Sequence, residues 1–547
     1  MLANRPKRPA VTVHLRDQQN GSPAEVGPLA DLISKLNQIE ANDTVALNKM
    51  KLDFCKQHEL RKMPRNSDIL NMIPAAAKER LIGNLQLKKV RSISGVNVIG
   101  VMSSPHGCPH GRCVFCPMES GFPMSYVSGE PAAMRGFQNA YDPFAQITSR
   151  LNQLRAIGHS PSKVELVIQG GTFLAAPLDY QEKFVKRSLD AVNGIEAYSL
   201  DEAKSLAENA TIRNVGLTIE TKPDWCKKPH VDQLLRFGAT RVEIGVQVLD
   251  DSVYELTNRG HTVQDVVESF QITKDAGLKV VAHMMPGLPG STPEKDLESF
   301  RMLFEDERFR PDMVKIYPCL VVEGTVLFEW WRKGKYSPYD TDQAVDLISK
   351  IKAIVPPWVR IMRVQREFPV KRIAAGPKSG NLRELAIKKL TLEGKRCRCI
   401  RCREVGHRTL KEKRSFDIER FLQVKRTYRA SSGSELFISI EDPEADVLVG
   451  YLRLRFPSGE AHRSEIHEDS AIVRELHIYG PEVPVGQRSD NAWQHKGFGQ
   501  KLLHEAEVQA RSTGAKKMVV ISALGTKSYY KRLGYSHDGP YMSKTLS

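Results

Sequence analysis

A chain of 547 residues and 61.5 kDa is too long for one hydrophobic core, and at roughly 100–200 residues per domain it predicts two or three domains. Apolar residues at 41% and charged residues at 26% exclude a wholly disordered chain. No apolar run reaches the roughly 18 residues of a spanning helix, because the best candidate, 314–331, is broken by Lys315, Glu323 and Glu329, so no membrane is expected as a partner.

Residues 1–25 are rich in Pro, Gly and Gln and predict a disordered tail without the apolar core of a secretion signal. Residues 26–92 carry apolar positions at helical spacing (Leu29, Leu32, Ile33, Leu36, Ile39) and predict a small helical segment. From 93 to 355, β-rich runs at 96–102, 163–169, 215–220, 241–248, 279–285 and 313–320 alternate with amphipathic stretches such as 263–276 and 294–304. That alternation predicts an α/β fold with a parallel sheet, and six units are too few for a full eightfold barrel, so a partial barrel fits. A basic linker is expected at 356–430, followed at 431–547 by a compact α+β domain with strands at 435–440, 447–456, 471–478 and 517–523 and a helix at 497–512.

The net charge of +16 is unevenly spread: Ile361–Ala430 carries a local +14, Lys51–Arg91 a local +6, and the remainder is −4. Two basic segments around a near-neutral body are either a polyanion-binding surface or a pair of solvated stretches.

Nine cysteines, seven of them at 108, 113, 116, 319, 397, 399 and 402, point to metal in a reducing, cytoplasmic setting rather than to disulfides. Cys108, Cys113 and Cys116 directly follow the first expected strand. Three thiolates can hold three irons of a [4Fe–4S] cubane and leave the fourth for S-adenosylmethionine; the alternative is zinc, completed by His106 or His110. Gly170, Gly171 and Thr172 end the second strand, where backbone without side chains could approach a methionyl group. Cys397, Cys399 and Cys402 lie in the basic linker and predict a structural zinc site, with Cys319 as the preferred fourth ligand and His407 as the second choice. Cys55 and Cys226 have no partner at ligand spacing. Near the C-terminus, Gln494, Lys496, Gly497 and Gly499 open a helix whose backbone amides could receive a pyrophosphate, and Tyr529 and Tyr530 follow the next strand. Lys315 and Tyr317 alternate on the sixth strand, share one face and are candidate substrate-site residues, unless Lys315 merely pairs with a nearby carboxylate.

The segments CPHGRCVFCP, KVELVIQGGTF, VGLTIETKPDWC, GATRVEIGVQ, TNRGHTV, KVVAHMMPGLPG, KIYPCLV, GNLREL, VRELHIYG and QHKGFG occur in that order from about residue 90 onward. In them the sequence resembles the catalytic subunits of Elongator, a family that joins a radical S-adenosylmethionine barrel to a GNAT-type acetyltransferase domain. The first two cysteines stand closer here than in the eukaryotic members, although the ligand triplet remains. The resemblance implies an acyltransferase acting on the wobble uridine of a tRNA anticodon stem-loop, with accessory subunits as further partners. It implies that acetyl-CoA lies along the backbone of Glu475, Leu476, His477 and Ile478, with its pyrophosphate at Phe498, Gly499 and Gln500, its thioester near Tyr530, and Lys163 as a further contact. In the mechanism it implies, a deoxyadenosyl radical takes hydrogen from the acetyl methyl group, the carbon radical adds to uridine C5, and loss of CoA by hydrolysis leaves 5-carboxymethyluridine. Two other readings are a protein lysine acetyltransferase with a structural iron–sulfur domain and a tRNA-binding assembly subunit without catalysis.

Overall fold

The structure is a computed structural model describing residues 32–36, 43–59, 62–73, 81–413, 416–482 and 496–547. The expected tail at 1–25, Leu29 and Gln494 lie outside the described residues. The chain divides into two compact units, one of residues 1–89 with 152–160, the other of 90–151 with 161–547.

In the smaller unit, helix Thr44–Gln57 starts where the Asp43 carboxylate accepts from the Val45 and Ala46 amides at 3.1 and 2.9 Å. With helix Asn66–Met72 it surrounds a core that includes Leu32, Leu36, Leu47, Phe54, Ile69, Leu70 and Leu85.

The larger unit contains two seven-stranded sheets. The six expected strands are β1 (Asn97–Met102), β2 (Lys163–Gln169), β3 (Arg213–Thr221), β4 (Arg241–Gln247), β5 (Lys279–Met284) and β6 (Met313–Ile316). A short β7 (Val321–Val322) follows, then β8 (Arg360–Val364), which joins the sheet beside β6, while β9 (Ile373–Ala375) pairs with β7. The sheet runs β1-β2-β3-β4-β5-β6-β8 with every pair parallel, so it is an open half-barrel of seven strands, one more than the six expected. β2 reads KVELVIQ and is buried at its five central positions, the pattern of a parallel strand covered on both faces. Helices Val263–Asp275 and Pro293–Glu305 cover the outside, and the side chains of Thr262 and Thr292 cap them.

The second sheet has the order β10-β11-β12-β13-β14-β16-β15. Its strands are β10 (Leu422–Ala430), β11 (Gly433–Asp442), β12 (Val447–Phe456), β13 (Ser470–Ile478), β14 (Lys517–Val520), β15 (Ser536–Asp538) and β16 (Tyr541–Thr545). Both β8 and β10 fall inside the stretch read from sequence as linker. The basic residues that hid β10 are paired along it: Lys425 with Glu505 at 2.6 Å, Arg426 with Glu441 at 2.7 Å and Arg429 with Glu307 at 3.1 Å.

Buried ion pairs join the two sheets. Arg474 on β13 meets Asp312, just before β6, at 2.9 Å, and Glu435 at 2.9 Å. Arg455 on β12 meets Asp275 at 2.6 Å and Glu435 at 3.0 Å. Arg474 also donates to the Leu278 carbonyl, just before β5, at 2.8 Å. Such pairs contribute little net stability when intact, but removing one partner costs about 3–5 kcal/mol because the other charge is left buried and unpaired. The second sheet is thus fastened at the N-terminal ends of the barrel strands.

Candidate active site

The loop after β1 carries the first cysteine triplet over the C-terminal ends of the strands. Cys113 and Cys116 are buried and Cys108 is half-buried. Cationic and polar groups converge on Cys113: Arg259 Nη1 lies 3.8 Å from its sulfur and His110 Nε2 3.2 Å. Lys222 Nζ donates to His110 Nδ1 at 3.0 Å. Burial, then the charges of Lys222 and Arg259, lower the His110 pKa to about 4, so at neutral pH it presents Nε2–H to the sulfur. Burial, reinforced by Cys113 and Cys108, pushes the Cys116 thiol up to about 12 in the absence of a metal.

Among the described residues, the only all-cysteine set with sulfurs within 4.8 Å of one another is Cys397, Cys399 and Cys402. One tetrahedral zinc, with bonds of about 2.3 Å to sulfur, needs that closeness. The wider triplet of Cys108, Cys113 and Cys116 suits a cluster in which each thiolate holds a different iron, and Arg259 and Lys222 offset its negative charge. Of the two readings of this triplet, the structure favours the cluster.

His106 bridges this loop to the end of β2, with Nε2 3.2 Å from the Thr172 carbonyl oxygen. Gly170 and Gly171 have φ of 137° and 88°, and a Cβ on Gly170 would lie 2.0 Å from Ser103 Oγ. The turn therefore requires glycine, and it leaves bare backbone beside the cysteine loop.

Deeper in the barrel, Lys315 forms a short ion pair with Glu243, the pairing that its alternative reading named. His283 Nε2 meets the same carboxylate at 2.9 Å, and the Tyr317 ring stands edge-on to His283 at 5.6 Å. Burial pushes the Glu243 pKa up, but Lys315 and His283 outweigh it and hold the carboxyl well below its usual range. Burial opposes Lys315 as well, and Glu243 outweighs it, so the ammonium persists. Glu220 accepts from Tyr126 at 2.8 Å and from Gln169 at 3.2 Å. Sequence reasoning missed Glu220, Glu243, His283, Lys222 and Arg259. An acid or imidazole inside an otherwise apolar strand, as in RVEIGVQ or KVVAHM, was the available signal.

In the second sheet, β14 pairs with β13 only over Ser470–Val473, so the strands part and β13 continues as Arg474–Ile478. Along Glu475–Ile478 the backbone pairs, among the described strands, with β12 and not with β14. The Glu475 side chain itself is committed to Arg453 at 2.9 Å, and the His477 ring to the Ser94 carbonyl at 3.0 Å. Leu476 and Ile478 are partly buried against the sheet's core. Gly497, with φ of 83°, caps helix Phe498–Ser512, which begins beside Lys496 and presents Gly499 and Gln500 in its first turn. A Cβ on Gly499 would lie 3.1 Å from the Tyr529 hydroxyl. Tyr530 is instead in the core, its ring against Tyr529 and Tyr535. The structure thus brings Tyr529, not Tyr530, to the helix start. Lys163 opens β2, at the N-terminal end of the barrel, and its amide donates to Glu482 at 2.8 Å. Burial, partly offset by Glu482, lowers its pKa to about 8.

The expected zinc quartet is corrected. Cys319 lies 2% exposed among Val248, Tyr254, Leu288 and Leu327 and is absent from the compact sulfur set. Its amide donates to the Pro286 carbonyl at 2.8 Å, turning the chain under this apolar loop, and burial pushes its thiol up to about 12. His407 lies outside the set too, 3.3 Å from Glu404. Lys352 Nζ instead stands 3.7 Å from Cys402 Sγ. Burial opposes it, but bonds from the neighbouring thiols and the Lys352 charge hold Cys399 well below the usual thiol pKa.

The family models for the radical SAM superfamily match residues 102–303, for the Radical_SAM C-terminal domain 311–391, and for the ELP3 N-terminal domain 29–93. A tRNA uridine(34) acetyltransferase of Methanocaldococcus jannaschii is 45% identical over 94% of this chain and 96% of its own. The human Elongator complex protein 3 is 43% identical over 97% of this chain and 100% of its own. The archaeal Elp3 of Methanocaldococcus infernus, solved with an N-terminal deletion, superposes with a TM-score of 0.75 at 43% identity, covering 83% of this chain and all of that one. The chain belongs to the family of the tRNA uridine(34) acetyltransferases and Elongator complex protein 3, and it carries that family's radical SAM barrel.

Proposed function

We propose that this protein carboxymethylates the wobble uridine of tRNA at C5, using acetyl-CoA and S-adenosylmethionine. The observation that carries this reading is one compact unit in which a cysteine triplet caps a parallel half-barrel and a second sheet parts between β13 and β14. A [4Fe–4S] cluster held by these thiolates would, with S-adenosylmethionine, supply one-electron chemistry, needed because uridine C5 does not react in ordinary acyl transfer.

The chain's own residues do the rest. Cys108, Cys113 and Cys116 hold the cluster, Arg259 and Lys222 balance its charge, and Gly170–Thr172 leave room for the cofactor. Lys315, Glu243, His283 and Tyr317 gather inside the barrel as fixed charges and donors that can orient a flipped base. Acetyl-CoA lies where β13 parts from β14, with the amides at Gly497–Gln500 directed at its pyrophosphate as in a GNAT loop. Cys397, Cys399 and Cys402 take a structural zinc with three protein ligands, and Lys352 offsets their charge. The two basic segments hold the tRNA.

The test uses anaerobically reconstituted protein, dithionite, S-adenosylmethionine, acetyl-CoA and tRNA. Modified wobble uridine is expected only when every component is present, and it is lost in Cys113→Ala. Equal product from Cys113→Ala, or acetylation of a control peptide without S-adenosylmethionine, defeats the reading.

A further inference from the structure

The segments VGLTIETKPDWC, on and after β3, and TNRGHTV, beyond β4, place Lys222 and Arg259 against the cysteine loop. The loop is clamped to the second of them. The Val114 amide donates to the Thr257 carbonyl at 3.1 Å, and the Asn258 side chain donates to the Arg112 carbonyl at 2.8 Å. His110 packs directly on Gly260, where an added Cβ would lie 2.6 Å from the His110 Cβ. The imidazole is therefore held in one place, with its two nitrogens facing different partners.

Lys222 is 2% exposed and donates to His110 Nδ1 at 3.0 Å and to Asp224 at 3.1 Å. An ammonium can only donate, so Nδ1 carries the lone pair and the neutral ring carries its proton on Nε2. Nε2 lies 3.2 Å from Cys113 Sγ, and the ring donates to that sulfur. Arg259 adds a longer contact to the same sulfur at 3.8 Å, while its Nη2 donates to the Gly245 carbonyl at 2.6 Å. A relay thus runs from a buried ammonium through an imidazole to one cysteine of the triplet. A hydrogen bond to a ligating sulfur draws electron density from it and favours the electron-richer, reduced state, which is one of the means by which a protein sets a cluster's potential.

We infer that His110 hydrogen-bonds the Cys113 sulfur of the bound cluster and raises its reduction potential, with Lys222 as the positioning residue that fixes the ring's proton on Nε2. The relay rests on the cluster of the proposed function and adds the residues that set its potential. Reduction brings in one electron from an external low-potential donor, dithionite in the test, and moves no proton. The hydrogen stays on Nε2, and its bond to the sulfur strengthens as the sulfur gains electron density.

The test is a potentiometric titration of the reconstituted full-length chain with dithionite and redox dyes, without S-adenosylmethionine or tRNA. It is followed by the paramagnetic signal of the reduced cluster, with iron counted per chain. His110→Leu and Lys222→Met are each expected to cut the ratio of reduced to oxidised cluster at a fixed potential about threefold to tenfold, tenfold being about 59 mV for one electron. His110→Gln places an amide donor where Nε2 stands and is expected to recover most of the loss. In the His110→Leu background, Lys222→Met should add less than it does alone. A parental ratio in His110→Leu or in Lys222→Met overturns the inference. So does an equal Lys222→Met effect in both backgrounds, which would leave the ammonium acting by charge alone. If His110→Leu holds no cluster, the comparison passes to Lys222→Met and to Gly260→Ala, which displaces the ring and keeps its chemistry; parental ratios in both overturn the inference. A parent chain whose cluster titrates but which makes no modified uridine defeats the proposed function alone. A parent that holds no iron and shows no such signal defeats both.

Discussion

Gly170 shows how tightly the turn after β2 is constrained. Its φ lies in the region that favours glycine, and an added Cβ meets Ser103 Oγ at 2.0 Å, far inside van der Waals contact. Gly170→Ala must therefore move Ser103 and the start of the cysteine loop, at a backbone cost of about 1–3 kcal/mol. We expect at least tenfold weaker S-adenosylmethionine binding by calorimetry on reconstituted protein; unchanged affinity would mean that the turn does not border the cofactor. At this scale the sequence was informative where a residue's chemistry is unusual by itself, as for the cysteines and the paired glycines. It was uninformative about Glu243 and His283, whose meaning depends on strands β4, β5 and β6 bringing His283 and Lys315 to the Glu243 carboxylate.

At the scale of elements, β8 and β10 were the losses. Both strands are rich in Arg and Lys, and periodicity is hard to read when cationic stems cover apolar surface and their ends find acids elsewhere. Local spacing did identify Cys397, Cys399 and Cys402, since three sulfurs within six residues meet almost regardless of fold. Cys319 failed as their partner because the choice needed tertiary knowledge: the loop after β6 turns under apolar side chains and away from the linker. The proposed metal there gives a clear expectation. Cys399→Ser should remove about one zinc per chain by elemental analysis and leave the iron content unchanged, with the denaturation midpoint lowered. Retention of zinc would place the metal elsewhere.

The whole molecule depends on the buried acids and arginines between its two sheets. Burial would raise the Asp312 pKa, but Arg474, Lys274 and Arg453 outweigh it and hold the carboxyl far below its ordinary value near 4. A carboxyl with a lowered folded-state pKa contributes stability above its unfolded value and loses it as the pH falls through the folded one. The joint should therefore hold at neutral pH and weaken progressively below about pH 4 in a melting series. Asp312→Asn should lose about 3–5 kcal/mol at pH 7 and flatten that acid dependence, because it removes a buried charge shared by Arg474 and Arg453. A variant as stable as the parent would show the network to be dispensable. The pairs that cross between the sheets were not visible in the sequence, where partners stand more than a hundred residues apart, as Asp312 and Arg474 or Asp275 and Arg455 do. The alternation of β and α segments, by contrast, is local, and it gave the barrel before any coordinate did.

That same joint sets a delivery problem. Because all the barrel strands are parallel, the second sheet is bolted to one rim while the cysteine loop occupies the other, and a strand of six residues such as β1 separates them by about 20 Å. Domains locked by buried charges cannot close that distance by swinging together. On the proposed function, the pantetheine of acetyl-CoA seated at the parting strands would have to span that gap. The rate of the proposed reaction would then depend on the length of the tether and the path past β1, not on any hinge in the protein.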